Sequence, residues 1–259
     1  MNFDKLTENY TASGITIGII DTGCSDEILN QRESVTKYNA INQSRDVRDG
    51  SGHGTSMTSI IAGTEDDTVL SLAQDASLVI IKAADDDGRM THESLLEALE
   101  FAEESNCDVV NISLGGYIAS KEITEELRKM YKQNITIVAS AGDYGQKDLL
   151  FPANQSPYVI SVAATDETGN LWEDSNTSEN LVTAFPGTEI LSIDNSGQVG
   201  NSSGTSEATA LATSYISLLK KEYRKKHDRR ISNKKLNAVL QKLYRSEDNN
   251  KYLSLLQNI

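Results

Sequence analysis

Short apolar runs rich in β-branched residues alternate with helical patterns along most of this chain, and that alternation limits the fold more than any other feature. The runs Ile15 to Ile20, Leu78 to Lys82, Val109 to Ser113, Ile135 to Ser140 and Tyr158 to Ala163 read as strands. Between them, His92 to Glu104 places Leu95, Leu96, Leu99 and Phe101 along a helical stripe, and Ser120 to Gln133 repeats the pattern more weakly. Strands separated by helices of this length pair in parallel through crossovers. The expected fold is therefore a doubly wound α/β domain in three layers, a mostly parallel sheet with helices on both faces.

The interval Thr165 to Asn201 breaks this rhythm. Its Ser, Thr, Asn and Gly content, with only short apolar pieces at Leu181 to Phe185 and Ile190 to Ile193, predicts loops and short antiparallel strands. A long helix is expected from near Gly204, and a last one over Lys234 to Tyr244. No repeat or linker divides the 259 residues, so we expect one domain over 1–259, ending in a basic helical segment at 220–259.

Composition excludes several functions. The longest apolar runs fall far short of the roughly 20 residues that span a bilayer, so no membrane span is expected. The start, MNFDKLTENY, lacks the basic, apolar and small-residue parts of a secretory signal, and with Met1 it predicts a cytoplasmic protein. Cys24 and Cys107 are too few for a disulfide framework and too far apart for a zinc motif; Cys24 reads as a packing residue.

The net charge of −14 conceals an asymmetry, because residues 1–219 carry 12 Lys and Arg against 34 Asp and Glu, whereas 220–259 carry 12 against 4. An acidic body disfavours nucleic acid as a partner. The dense run Lys220, Lys221, Arg224, Lys225, Lys226, Arg229 and Arg230 could touch RNA, an anionic membrane or an acidic partner. It lacks an amphipathic aromatic face, which favours a solvated helix end salt-bridged to the acidic body.

Three local motifs carry groups suited to chemistry. ITIGIIDTG is a strand that ends on Asp21, in the place where open α/β sheets collect functional groups. Alone, DTG is equally an ordinary strand-to-turn junction. It is also the aspartic-protease motif, but that chemistry needs two such carboxylates in an all-β or dimeric frame. DGSGHGTSMTSIIAG delivers His53 through a glycine-rich turn into a helix, which a capping turn with an incidental histidine would also do. NSSGTSEATALA puts Ser206 near a helix start, among unpaired amides that favour an anion; by itself this reads first as a helix cap.

Together, a strand-end Asp, a turn-to-helix His and a helix-start Ser, in that order, make the chain resemble the subtilases, whose triad order this is. VVNISLGG at 109–116, VASAG at 138–142, FPA at 151–153, VISVAA at 159–164 and FPG at 185–187 extend the resemblance over about Gly14 to Leu219. It implies a serine endopeptidase in which Ser206 attacks the scissile carbonyl, His53 moves the proton and Asp21 holds the imidazole. It also implies that a peptide or protein substrate lies as a strand between Ser113, Leu114, Gly115 and Gly88, Arg89, Met90. Ser140, Ala141 and Gly142 would form the wall of the primary specificity pocket. No cofactor is required and no metal ligand set is assigned. Many subtilases bind calcium, for which Glu65, Asp66 and Asp67 with nearby carbonyls are candidates that follow no clear ligand spacing.

The chain departs from the family where an Asn usually donates to the oxyanion beside the Ser206 N–H, because the residue there is Asp143. A carboxylate offers only acceptors unless protonated. Three readings follow: Asp143 is held protonated by burial, the enzyme turns over slowly on a narrow substrate, or the chain binds peptides without cutting them. Glu207 and Ala210 also replace the usual Met and Pro, and Ser56 and Ser59 replace the usual His and Gly. Asp85, Asp86 and Asp87 are either a solvated acidic loop or a site for basic residues before the cut bond. With only about twenty residues before Asp21, the expected role is that of an intracellular protease without prodomain. Enzymes of that kind include housekeeping proteases and dedicated processing enzymes such as leader peptidases, and the divergent, acidic chain fits the second, processing of a peptide or protein precursor with narrow specificity.

Overall fold

The computed structural model describes residues 3–32, 34–246 and 251–259. Met1, on which the cytoplasmic expectation leans, and 247–250 of the basic segment lie outside them. In chain order the elements are α1 (Phe3–Asn9), β1 (Thr16–Asp21), α2 (Asp26–Leu29), β2 (Val35–Asn39), α3 (His53–Ala62), β3 (Ser77–Lys82), α4 (His92–Glu104), β4 (Val109–Ile112), α5 (Lys121–Lys132), β5 (Thr136–Ser140), β6 (Val159–Thr165), β7 (Thr183–Pro186), β8 (Ile190–Ile193), β9 (Val199–Ser202), α6 (Thr205–His227), α7 (Asn233–Tyr244) and α8 (Lys251–Asn258).

Seven strands pair in the order β2-β3-β1-β4-β5-β6-β7, and every pairing is parallel. The strands read near-continuously apolar because both faces are covered. Ile17, Ile19, Leu78, Ile80, Val138 and Ile160 face a core shared with α3, α6, α7 and α8. Ile20, Val79, Ile81, Val110, Ile112 and Ile137 face a second core shared with α4 and α5. The fold is the expected three-layer α/β arrangement. Among the described residues no helix is long and apolar enough to cross a membrane.

The interval after Thr165 differs in part from expectation. β8 and β9 are the antiparallel pair anticipated there, but β7 joins the main sheet in parallel with β6. Its direction is set by the long return over 166–182, which carries no helix to announce a crossover. The strand β2 was not anticipated. Its sequence, VTKYN, mixes polar and apolar residues because it is an edge strand and half of it meets solvent.

The basic run also needs correcting at one residue. Arg224 pairs with Asp108 at 2.9 Å and Arg230 with the same carboxylate at 3.7 Å, so the run does bridge to the acidic body. Lys220, however, is 2% exposed rather than solvated. Its Nζ donates to Thr136 Oγ1 at 2.7 Å and to the Asn134 carbonyl at 3.3 Å. Burial pulls its pKa down to about 7 against the attraction of Asp108.

Candidate active site

The C-terminal ends of three neighbouring strands, β1, β4 and β5, deliver Asp21, Ser113 and the segment 140–143 to one edge of the sheet. Open α/β sheets bind ligands at this edge because the connecting loops part there. Asp21 is 1% exposed, and its Oδ1 lies 2.7 Å from His53 Nδ1 while also accepting the Thr22 N–H at 2.7 Å. His53 opens α3 and stays partly open to solvent.

The turn that presents His53 is built around Asp49, a residue the sequence reading passed over. This buried carboxylate accepts from Thr22 Oγ1, from the N–H groups of Ser51, Gly52 and Thr55, and from Thr55 Oγ1, at 2.6–3.1 Å. Burial works against its charge, and the Thr55, Gly52 and Thr22 donors outweigh burial and hold Asp49 below the usual carboxylate range. Gly52 follows with φ +91, a left-handed conformation, and a Cβ there would meet Asn195 Oδ1 at 3.1 Å. Asn195, in the β8–β9 turn, donates to the Asp49 carbonyl at 2.7 Å. Only the spacing DGSGHG, an acceptor just ahead of a glycine turn, signals this arrangement in sequence.

Ser206 lies in the first turn of α6. Its Oγ donates to the Ser113 carbonyl at 2.9 Å, while Ser113 Oγ donates to the Ser206 carbonyl at 3.1 Å and accepts from Asn111 Nδ2 at 3.0 Å. The end of β4 is thereby clamped to the start of α6. Gly142 N–H donates to Thr205 Oγ1 at 3.0 Å, which ties the end of β5 to the same turn.

Asp143 is exposed, which removes the reading that relied on its burial. Its Oδ1 accepts the Thr205 N–H at 2.8 Å. Glu207 is 6% exposed. The carboxylates of Glu207 and Asp143 come within 2.7 and 3.1 Å of the point where a Gly204 Cβ would stand, so two acids flank the helix start that carries Ser206. Burial lowers the pKa of His53, but the adjacent Asp21, then Glu207 and Asp49, outweigh it and raise the imidazole to about 9.

The proposed substrate edges meet at a cavity of about 220 Å³ lined by Gly88 and Met90 from one side and Leu114 and Gly115 from the other. Arg89 turns away and pairs with Asp87 at 2.7 Å. The acidic run is occupied internally: Asp85 accepts from the N–H groups of Asp87 and Arg89, and Asp86 accepts from Lys82 at 2.8 Å. Asp66 and Asp67 of the calcium candidates Glu65, Asp66 and Asp67 are engaged by neighbouring side chains and backbone. Asp66 gives both oxygens to Thr64 and Thr68, Asp67 accepts from Gln74, and among the described residues no three acidic, His or Cys side chains gather around a metal position. Burial pushes the Cys24 thiol up to about 12, as a packing residue requires.

Residues 12–253 match the subtilase family. The chain is 32% identical over 81% of its length to the minor extracellular protease Epr of Bacillus subtilis (strain 168), and that alignment spans 32% of Epr. It is 28% identical over 88% of its length to the intracellular serine protease of Paenibacillus polymyxa, of which it spans 73%. Its fold superposes on the prenylagaramide maturation protease PagA with a TM-score of 0.82 at 21% identity, covering 99% of this chain and 98% of that one.

Proposed function

The chain belongs to the subtilase family of serine endopeptidases, and from that premise we propose that it hydrolyses peptide bonds with Asp21 as orienting carboxylate, His53 as general base and acid, and Ser206 as nucleophile. The observation that carries this reading is the 2.7 Å contact between Asp21 Oδ1 and His53 Nδ1. A carboxylate there holds the proton on Nδ1 and leaves Nε2 free to accept the Ser206 hydroxyl proton.

Turnover begins when Ser206 Oγ exchanges the Ser113 carbonyl for His53 Nε2. The oxygen adds to the scissile carbonyl and its proton passes to Nε2, while Asp21 stabilises the imidazolium. The carbonyl π electrons move onto the oxyanion, which the Ser206 N–H at the start of α6 receives. Collapse breaks the C–N bond and His53 gives its proton to the leaving amine. Water then repeats the sequence on the acyl-enzyme.

Asp143 supports slow, selective turnover. It stands where the family places an amide donor, and it offers acceptors to an atom gaining negative charge. We therefore infer a narrow role, processing of a peptide or protein precursor within the cytoplasm, in the manner of a leader peptidase. Resemblance to a relative named as intracellular supports that compartment. The second reading, a weakly active or inactive peptide-binding protein, rests on the same Asp143. A fluorophosphonate probe separates the two: covalent labelling of the wild type, abolished in Ser206→Ala, is expected, and an unlabelled wild type that still binds peptide favours the second.

A further inference from the structure

Resemblance to the family makes 140–142, at the end of β5, the wall of the primary specificity pocket, and 113–115, at the end of β4, the substrate-pairing edge that borders it; these are the two walls. Between them runs the segment that contains Leu150. Its backbone is stitched to both sides: the Leu150 N–H donates to the Ala141 carbonyl at 3.0 Å, and Phe151 exchanges hydrogen bonds with Gly116 at 2.8 and 2.9 Å. The side chain is held in the gap. A Cβ on Gly142 would meet Leu150 Cγ and Cδ1 at 2.7 and 2.9 Å, and a Cβ on Gly115 would meet Leu150 Cβ and Cδ1 at 3.0 and 3.3 Å.

One isobutyl group thus touches both walls, each of which is already stripped to glycine where they meet. It is 8% exposed, so the space is filled by protein rather than open to solvent. Just past each wall in sequence stand Tyr117 and Tyr144, which are exposed and whose ring centroids lie 5.9 Å apart.

We infer that Leu150 closes the primary specificity pocket, so that this protein accepts only a small residue, glycine, alanine or serine, on the acyl side of the bond it cuts. The inference rests on the catalytic reading above and adds the substrate class. A large side chain would have to displace Leu150, which its own backbone bond to Ala141 and the adjoining Phe151–Gly116 pair oppose. A single methylene more or less in an apolar pocket changes selectivity by roughly 10- to 200-fold.

The test is a peptide series varied only at that position, from Gly and Ala to Leu and Phe, cleaved by the wild type and by Leu150→Ala and Leu150→Val. The wild type should prefer the small residues by at least about tenfold, and Leu150→Ala should shift preference towards Leu and Phe, with Leu150→Val between. Fluorophosphonate labelling of each variant reports independently whether Ser206 is active. The same series read as peptide binding to Ser206→Ala tests the pocket even if labelling fails. A wild type that takes Phe as readily as Ala, in cleavage or in binding, overturns the inference. So does an unchanged profile in a labelled Leu150→Ala enzyme.

Discussion

Asp143 Oδ1 accepts the Thr205 N–H at 2.8 Å, so a carboxylate holds the first turn of the helix that carries Ser206. An acid suits a helix start, where unpaired N–H groups point outwards. It does not suit the neighbouring duty, donation to an oxyanion. An asparagine would do both, since its carbonyl oxygen could keep the Thr205 bond while its NH2 group donates.

Asp143→Asn should therefore raise kcat. In a subtilisin, loss of one such donor costs about 10²- to 10³-fold, which sets the upper limit of the gain. Steady-state cleavage above neutral pH measures it, and an unchanged or lower kcat would count against this position as part of the oxyanion site.

The pair Asp21 and His53 gives a second expectation. Asp21→Asn preserves shape, but its amide can donate to Nδ1 and so select the wrong imidazole tautomer. A loss of about 10⁴-fold in kcat follows for a triad of this type. Retention of more than a tenth of wild-type kcat would mean that His53 does not depend on Asp21.

The pH profile should be displaced as well. Only neutral His53 can accept the Ser206 proton, so kcat/KM rises as pH passes upwards through its pKa. With Asp21, Glu207 and Asp49 holding the imidazole at about 9 despite burial, the rising limb should lie on the alkaline side of the usual histidine value. Glu207→Gln removes one of the three charges and should move that limb to lower pH. A limb at the same pH in both proteins would remove Glu207 from the electrostatics of His53.

What the sequence could and could not disclose follows from how local each signal is. Asp21, His53 and Ser206 each sit at a junction whose residues are contiguous, so the motifs are readable one at a time and their order joins them. Leu150 is different. Its significance comes from Gly115 and Gly142, residues of other segments, and nothing in the run DLLFPA indicates which leucine lies between two walls. Asp49 falls between these cases, since its partners lie within a few residues but the turn they form is visible only in three dimensions. Lys220 is hidden by company: within a run of exposed and half-buried cations it lies on the stripe with Ile216 and Tyr223, the buried face of α6.

That buried lysine yields the last expectation, one of stability. In the unfolded chain a lysine holds its proton to about pH 10.4, whereas Lys220 in the fold releases it near pH 7. Between those values the unfolded state binds more protons, so this residue makes stability rise with pH; below pH 7 both states are charged and its destabilising effect is complete. Lys220→Met keeps the aliphatic stem and removes the charge, although it leaves Thr136 Oγ1 without its donor. Its stability relative to wild type should therefore be greatest at pH 6 and decline steadily towards pH 10. Urea unfolding at a series of pH values gives that difference directly, and one that stays constant from pH 6 to 10 would show that Lys220 carries the same charge in both states.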